Sequence, residues 1–511
     1  MKKIAILLMT ITIITKASGF LRDIALSFYY GASSLSDAYI ISVTISNVLF
    51  SLIFTGISTG YIAIFNRIEI EMGKRSATYF TNNLVNIVIL ISTILIILGF
   101  IFSELLVKVF AFGFDDETMK TAIFLTRIGL MGIYFSSLSQ LFMGHLQLKE
   151  KFAIPAIAGL PYNIFIIIAI YISAQTNILV LAVGTVLATL AQLLFLMPSL
   201  YRVQYRYAPI LNVKDKNMKK MIFYVYPITI GMSIDNVNLM VDKTLASRII
   251  EGGISSLEYA SRLNGFVNGI FVLSFVTVMF PFISKMAAMK NTIEFKKTIN
   301  EVLACVIILV IPASIGIMIL AEPIIRLLYG RGSFDEQAVL LTSQSLFFYS
   351  IGMVGYGVRD VLLRTFYSLQ DMKTPMYNVS IAVVLNISLN FILSRFLGIG
   401  GLALATSISA LFSAGLLLYS LRRKIGALGI KSTAFSLLKV ILASSVMGFV
   451  VFMLNEYVLL NWNDFFKVGV VAFWGIGIYL ILILLLRVPE ARILINFVMD
   501  KLQLRKMRKQ E

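Results

Sequence analysis

Six ionisable side chains lie in sequence that is otherwise strongly apolar: Lys16, Arg22, Asp23 and Asp37 near the start, Glu258 and Arg262 past the midpoint. A charged group near the middle of a bilayer costs ~2.5–3.5 kcal/mol on insertion scales, so a cluster of them is retained only for a reason. Lys16 and Asp23 are two helical turns apart and share a face, and Arg22 points about 100° away from it. Two uses fit these residues. In the first, opposite charges neutralise one another as buried ion pairs, Arg22 with Asp37 or Lys16 with Asp23, and Glu258 with Arg262 at i, i+4. In the second, the basic groups line a polar cleft and meet an anionic ligand, for which the guanidinium fork suits phosphate oxygens best. Asp242 and the asparagines around position 390 add oxygen donors of the kind a hard monovalent cation takes.

Other chemistries find little support. One histidine, His145, and one cysteine, Cys305, cannot build a zinc or iron–sulfur site or a disulfide within the chain. No Gly-x-x-x-x-Gly-Lys-[Ser/Thr] run is present to hold ATP, which disfavours a primary pump. No nucleophile–base pair stands out, so the chain does not read as an enzyme.

The elements that must carry these charges are membrane helices. Hydrophobic residues make up 59% of the 511 and charged ones only 14%, too little polar surface for a soluble chain of this length. Apolar runs of about 20 residues recur throughout, each enough to cross a ~30 Å hydrocarbon core as a helix. The runs do not alternate polar and apolar residues as a β-barrel would. The fold class expected is therefore an all-α polytopic membrane protein with 14 transmembrane helices. They are drawn at about 4–29, 36–65, 82–103, 121–146, 153–174, 177–200, 220–247, 256–287, 299–320, 338–367, 376–396, 399–420, 435–457 and 465–487. The basic start and small residues after the first run imitate a secretory signal, but Lys16 interrupts the tail, and the run reads as a retained first helix.

Charge fixes the expected orientation. The connections after runs two, four, six, eight and twelve are basic, carrying for example Arg67, Lys149, Lys219, Lys285 and Arg422. The opposite connections are short and uncharged or, as at Asp115–Glu117, acidic. This is the positive-inside pattern with both termini cytoplasmic. A cysteine at position 31 should then label from outside and one at 219 only from inside. The net charge of +18 reads as basic loops facing anionic lipid rather than as a nucleic-acid surface. The basic, amphipathic tail 488–511 reads as a helix resting on anionic headgroups.

The chain also repeats itself. A shift of 221 residues lays Asn47 on Asn268, Phe54 on Phe275 and Ile62 on Ile283, and a shift of 220 lays Gln147–Pro155 on Tyr367–Pro375. The expected organisation is an N-lobe at 1–205, a basic cytoplasmic linker at 206–219, and a pseudo-symmetric C-lobe at 220–421, six helices to each lobe. Two extra helices follow at 435–487. Two-lobed transporters of this kind hold substrate between their lobes and rock about it.

Six stretches resemble a known family. They are GFLRDIALSFYYGASSLSDAYIIS from Gly19, TGISTGY from Thr55, YASRLNGFVNGI from Tyr259, FPFISK from Phe280, YGRGSFDEQAV from Tyr329 and FYSLQDMKTP from Phe366. Together with the fourteen runs they resemble MurJ-type (MviN) lipid II flippases, of the multidrug/oligosaccharidyl-lipid/polysaccharide exporter superfamily. The resemblance implies a V-shaped cationic cavity and transport of lipid II, an undecaprenyl-diphosphate disaccharide-pentapeptide, from the inner to the outer leaflet for peptidoglycan and cell-wall synthesis. It implies substrate-binding roles for Lys16, Arg22, Asp23, Asp37 and Arg262, a groove for the lipid tail at runs thirteen and fourteen, and a sodium site at Asp242, Asn386, Asn390 and Thr406. It also implies a bacterial inner-membrane protein acting as a monomer. The chain departs from some members at Phe50 and Ser51, where they carry an arginine pair, at Gly265, where some carry glutamate, and at Asn390, which replaces an acidic ligand. A flippase for another undecaprenyl-linked glycan is the nearest alternative. A cation-coupled drug exporter is less apt, since such proteins usually stop at twelve spans and favour an apolar or acidic cavity.

Overall fold

A computed structural model describes residues 2–269, 272, 274–289, 291–427, 431–458 and 462–489. Among these the secondary structure is helical, with no strand. The helices are α1 (Lys2–Tyr30), α2 (Ser34–Ile101), α3 (Ser103–Phe110), α4 (Asp116–Gly129), α5 (Gly132–Leu148), α6 (Ala153–Ile157), α7 (Gly159–Gln175), α8 (Ile178–Arg202) and α9 (Lys216–Ile249). They continue as α10 (Gly253–Asn268), α11 (Ser274–Ala288), α12 (Thr292–Ile319), α13 (Ala321–Leu328), α14 (Glu336–Ser368), α15 (Lys373–Leu397), α16 (Ile399–Ile425), α17 (Lys431–Met453), a π-helical turn at Leu454–Val458, and α18 (Asp464–Leu485).

Over the described residues, the apolar runs expected from the sequence fall mainly on helix. Nine helices among the described residues are long and apolar enough to cross a membrane, or ten if α4 and α5, bent by 43°, count as one broken span. The second and third runs share α2, which is two helices joined across a kink at Gly73, with φ 79° and ψ 170°, a conformation essentially confined to glycine. The tail from 490 onward lies outside the described residues, and with it nearly all of the expected surface helix.

Local chemistry explains where helices begin and end. Ser33 and Ser36 form a reciprocal capping box at the start of α2. Asp115, Asn177 and Asp215 cap α4, α8 and α9 with their side chains, each satisfying backbone N–H groups that the helix itself cannot. At the other end, α5 closes with Glu150 in the left-handed region (φ 57°) and a Lys151 N–H bond to the Leu146 carbonyl at 2.9 Å, a Schellman stop. Residues 220 further on do the same: Gln370 has φ 57° and Asp371 donates to Phe366 at 3.0 Å. Gly31 and Gly252, 221 residues apart, are likewise both at positive φ, 60° and 73°. The sequence repeat is thus also a repeat of backbone conformation at these points.

By packing, the chain divides into two compact units, Met1–Ser255 with Arg331–Ala338, and Ser256–Gly330 with Val339–Glu511. In the first, Tyr61, Phe65 and Leu84 of α2 pack with Leu146 of α5, Leu200 of α8 and Met221 of α9. Gly56 lets α9 come close, since a Cβ there would stand 2.8 Å from Val225 Cγ1. The repeat pairs α9 with the second half of the chain, whereas its packing groups it with α2. The connection between α8 and α9 is tied down by asparagines of α2. Asn82 bonds the Arg206 carbonyl (3.1 Å) and the Tyr205 hydroxyl (2.7 Å), and Asn83 exchanges two bonds with the Asn212 backbone (2.9 and 2.7 Å). Asn86 holds the Ala208 and Ile210 carbonyls. In the second unit, Ile299 and Val306 of α12, Val361 and Phe366 of α14 and Leu417 of α16 make one core. A second joins α12 to α17 and α18 through Ile308, Met447 and Tyr479, with the Tyr479 hydroxyl donating to the Ile308 carbonyl at 2.6 Å.

Candidate functional site

The first charged cluster is built on α1 and fastened by α7. Arg22 donates to Asp23 Oδ1 from Nη2 at 2.8 Å and from Nε at 3.1 Å, and to Asn163 Oδ1 from Nη1 at 3.3 Å. The Asn163 amide in turn donates to Ser18 Oγ at 2.9 Å, and Thr15 donates to the Ala156 carbonyl at 3.0 Å. Adjacent helical residues do not face one another, so the Arg22 side chain must curl sideways to reach Asp23, and Asn163 holds it there. The pair is mostly but not fully covered, with side-chain exposures of 18% and 13%. Lys16 is exposed on the same helix.

These contacts correct the expected pairings. Arg22 does not pair with Asp37, nor Asp23 with Lys16. Asp37 is 2% exposed, and its Oδ1 accepts from the Ser255 N–H at 2.7 Å and the Ser255 hydroxyl at 2.6 Å. Ser255 lies in the first turn of α10, where backbone N–H groups are unsatisfied and the helix dipole favours negative charge. Lys243, 2% exposed on α9, is the cation whose field reaches the Asp37 carboxyl.

Close backbone contacts surround this bond. Ser333 donates from its N–H to the Phe28 carbonyl at 2.8 Å and from its hydroxyl to the Tyr29 carbonyl at 3.0 Å. The Ser34 N–H donates to Glu251 at 3.3 Å. A Cβ on Gly31 would stand 2.2 Å from the Ser333 carbonyl oxygen, and one on Gly252 2.2 Å from that of Ala32. Position 31 is therefore unsuited to the cysteine probe that the loop pattern invites, and Gln175, exposed as the last residue of α7, serves instead.

The other charges take their expected neighbours. Arg262 Nε lies 2.8 Å from Glu258 Oε1, with 49% of the arginine side chain exposed. Gly265, one turn on, faces open space. Phe50 stacks on Phe54 at 5.5 Å, and Ser51 accepts from the Asn236 amide at 3.0 Å, so these two positions bring ring and hydroxyl contacts rather than charge. Of the residues matched to a sodium site, three converge in the second unit. Asn386 donates to Thr406 Oγ1 at 3.2 Å and accepts from Asn390 at 2.8 Å. Asp242 is buried on α9 in the first unit. The uncharged oxygens of the trio suit a hard monovalent cation in type.

Sequence reasoning missed Asn163, Ser255 and Ser333. Ser255 and Ser333 flank or fall within stretches already singled out, but nothing in one sequence marks a serine or asparagine as the partner of a side chain or carbonyl more than a hundred residues away.

Comparison with known proteins follows the same lines. The family profile described as lipid II flippase MurJ matches residues 26–473. A probable lipid II flippase MurJ of Buchnera aphidicola subsp. Baizongia pistaciae is 30% identical over 476 residues, covering 91% of this chain and 92% of its own. One of Thermotoga maritima is 28% identical over 480 residues, covering 94% and 95%. A solved structure of lipid II flippase MurJ in an inward-closed conformation superposes with a TM-score of 0.81 at 27% identity, over 93% of this chain and 98% of that one. An inward-facing multidrug resistance MATE family transporter of the MOP superfamily shares the fold, with a TM-score of 0.71 at 14% identity over 84% and 99%.

Proposed function

The chain belongs to the MurJ family of lipid II flippases, and on that premise we propose that it carries lipid II from the inner to the outer leaflet of the bacterial cytoplasmic membrane. It is a transporter rather than a catalyst. The observation that carries the reading within the chain is Arg22, a guanidinium held in an apolar helix by Asp23 and Asn163 and still partly open.

In this mechanism the diphosphate of lipid II meets Arg22, Lys16 and Arg262, while the polyprenyl tail stays in lipid along α17 and α18. Charge-assisted bonds to diphosphate compete with the Arg22–Asp23 and Arg262–Glu258 pairs, so loading rearranges contacts that already exist. Asp37 acts differently from the other acidic residues. Its bonds to Ser255 make it a latch that holds the outward-side segments together, and releasing it accompanies opening to the outside. Each elementary charge moved through 100 mV is worth about 2.3 kcal/mol, so the membrane potential alone can bias such a cycle.

The finer architecture belongs to the same reading: fourteen spans, two six-helix lobes at 1–205 and 220–421 joined by the 206–219 linker, both termini cytoplasmic, and a protein working as a monomer among anionic lipids. The shared backbone at Glu150 and Gln370 supports the lobes. A sodium ion, where bound, would be held by Asn386, Asn390 and Thr406, the three that lie together, and would supply positive charge to that site.

The deciding experiment is depletion of the protein in its host with measurement of lipid II exposed on the outer leaflet. Loss of exposed lipid II with accumulation inside is expected. Unchanged exposure, with loss only of another surface polymer, would overturn the substrate assignment.

A further inference from the structure

Within the first unit lies a cavity of about 240 Å³ bounded by α2, α4, α5, α7 and α8, and no side chain lining it is charged. That is room for about eight waters at their liquid volume of ~30 Å³ each. The wall at the break between α4 and α5 is formed by Gly129 and Gly132, and a Cβ at Gly129 would already stand 3.2 Å from Ser46 Oγ. Side chains at these two positions would reduce the space.

The polar lining is of two kinds. Ser42, Ser46 and Thr189 donate their hydroxyl protons to carbonyls of their own helices, at 2.7, 3.0 and 2.6 Å, which leaves oxygen lone pairs as acceptors. Asn47, Ser136, Gln140 and Gln192 also line the cavity, and no hydrogen bond among the described residues uses their side chains. Amide groups without a protein partner at membrane depth must meet water or a polar ligand. Tyr39, Phe50 and Tyr162 add aromatic surface to the same space.

Each feature narrows the occupant. The uncharged lining gives a phosphate or carboxylate no counter-ion. The unpartnered amides make it a poor site for a lipid tail. Abundant donors and acceptors beside aromatic faces match a ring that has hydroxyls on its rim and C–H groups on its flat side. The volume limits it to one such ring.

We propose that this cavity receives one neutral sugar ring of the substrate headgroup, with Gln140 and Gln192 as its principal hydrogen-bonding residues. The proposal rests on lipid II being the substrate, and it separates recognition of the sugar from recognition of the diphosphate at Arg22.

The test compares two lipids on the purified full-length protein in detergent: lipid II, and undecaprenyl diphosphate, which has the tail and diphosphate but no sugar. Wild type should bind lipid II about tenfold more tightly, as two or so neutral hydrogen bonds would give. The double variant Gln140→Leu/Gln192→Leu should lose that advantage and keep its affinity for undecaprenyl diphosphate, which also reports that it is folded. Ser136→Phe, which fills the cavity by another route, should do the same. Variants that keep the wild-type ratio would overturn the proposal and leave the cavity to water alone, with the flippase reading intact. Wild-type protein that binds neither lipid would overturn the flippase reading, and this proposal with it.

Discussion

Asp37 accepts both of its short hydrogen bonds from a single residue 218 positions away, the N–H and the hydroxyl of Ser255, at 2.7 and 2.6 Å. One carboxylate oxygen thereby satisfies a helix-terminal donor and a side chain together, in a place that is almost closed to solvent. Bonds to an ionised acceptor are worth ~1.5–3 kcal/mol each. Losing both, about 3–6 kcal/mol together, Asp37→Ala should shift the conformational balance away from the latched state by a hundredfold or more, and Asp37→Asn, which keeps an acceptor, by less. A cysteine at Asn47, ten residues or ~15 Å further along α2, should then react with a membrane-impermeant thiol reagent from outside faster in Asp37→Ala than in wild type. Equal rates in the two backgrounds would show that the contact does not hold the outer side closed.

Arg22 depends on Asn163, which has no charge of its own. Asn163→Leu should remove the Nη1 contact at 3.3 Å and the link to Ser18 while leaving the Arg22–Asp23 pair formed. The expected effect is a five- to twentyfold weaker affinity for the diphosphate lipid, through loss of a positioned guanidinium. Turnover at saturating lipid should change less. An affinity within twofold of wild type would make Asn163 a packing residue only.

The glycines at 31 and 252 offer a contrast with Gly265. At the first two, positive φ and a carbonyl oxygen 2.2 Å from the would-be Cβ act together, so Gly31→Ala and Gly252→Ala should each cost more than 2 kcal/mol or force the facing strands of chain apart. Gly265→Ala meets open space inside α10 and should stabilise the protein by up to about 1 kcal/mol, the helix-propensity gain of alanine over glycine. Thermal unfolding of the three variants in the same detergent checks the order. Equal melting temperatures would show that the glycine contacts yield easily.

What could be read without coordinates follows from which forces are local. Apolar length, loop charge and the 220-residue offset are visible in the sequence itself, so a chain of long apolar helices was legible, nine or ten of them span-sized among the described residues, as was the repeated segment that holds Glu150 and Gln370. Contacts between helices depend on rotation and approach that one sequence does not encode. Arg22 with Asp37 was therefore only one of the pairings left open, and Arg22 in fact meets Asp23 and Asn163. The grouping of α9 with α2 rests on Gly56 and Gly60 meeting Val225, a match of small against branched residues that only packing reveals. Glu258 and Arg262 were legible as a pair because i, i+4 spacing within one helix is a local relation.

Asp371, in the FYSLQDMKTP segment between α14 and α15, supplies a pH test outside the membrane spans. Burial pushes its carboxyl up, but hydrogen bonds from Lys424 and from the backbone and hydroxyl of Thr374 outweigh this and hold it at about 2, below its ordinary 3.8. A group whose pKa is lowered on folding favours the folded state wherever it is ionised in both states, and that contribution fades as pH falls through the folded value. The stability supplied by Asp371 should thus be complete above about pH 5 and shrink progressively between pH 4 and 2. Asp371→Asn should lower the melting temperature by a constant amount from pH 8 to pH 5, where the Asp371 carboxylate is ionised in both states. The difference from wild type should narrow below pH 4. A difference that stays constant down to the lowest pH at which the protein survives would mean that the variant acts through the Thr374 cap geometry rather than through the carboxylate's charge.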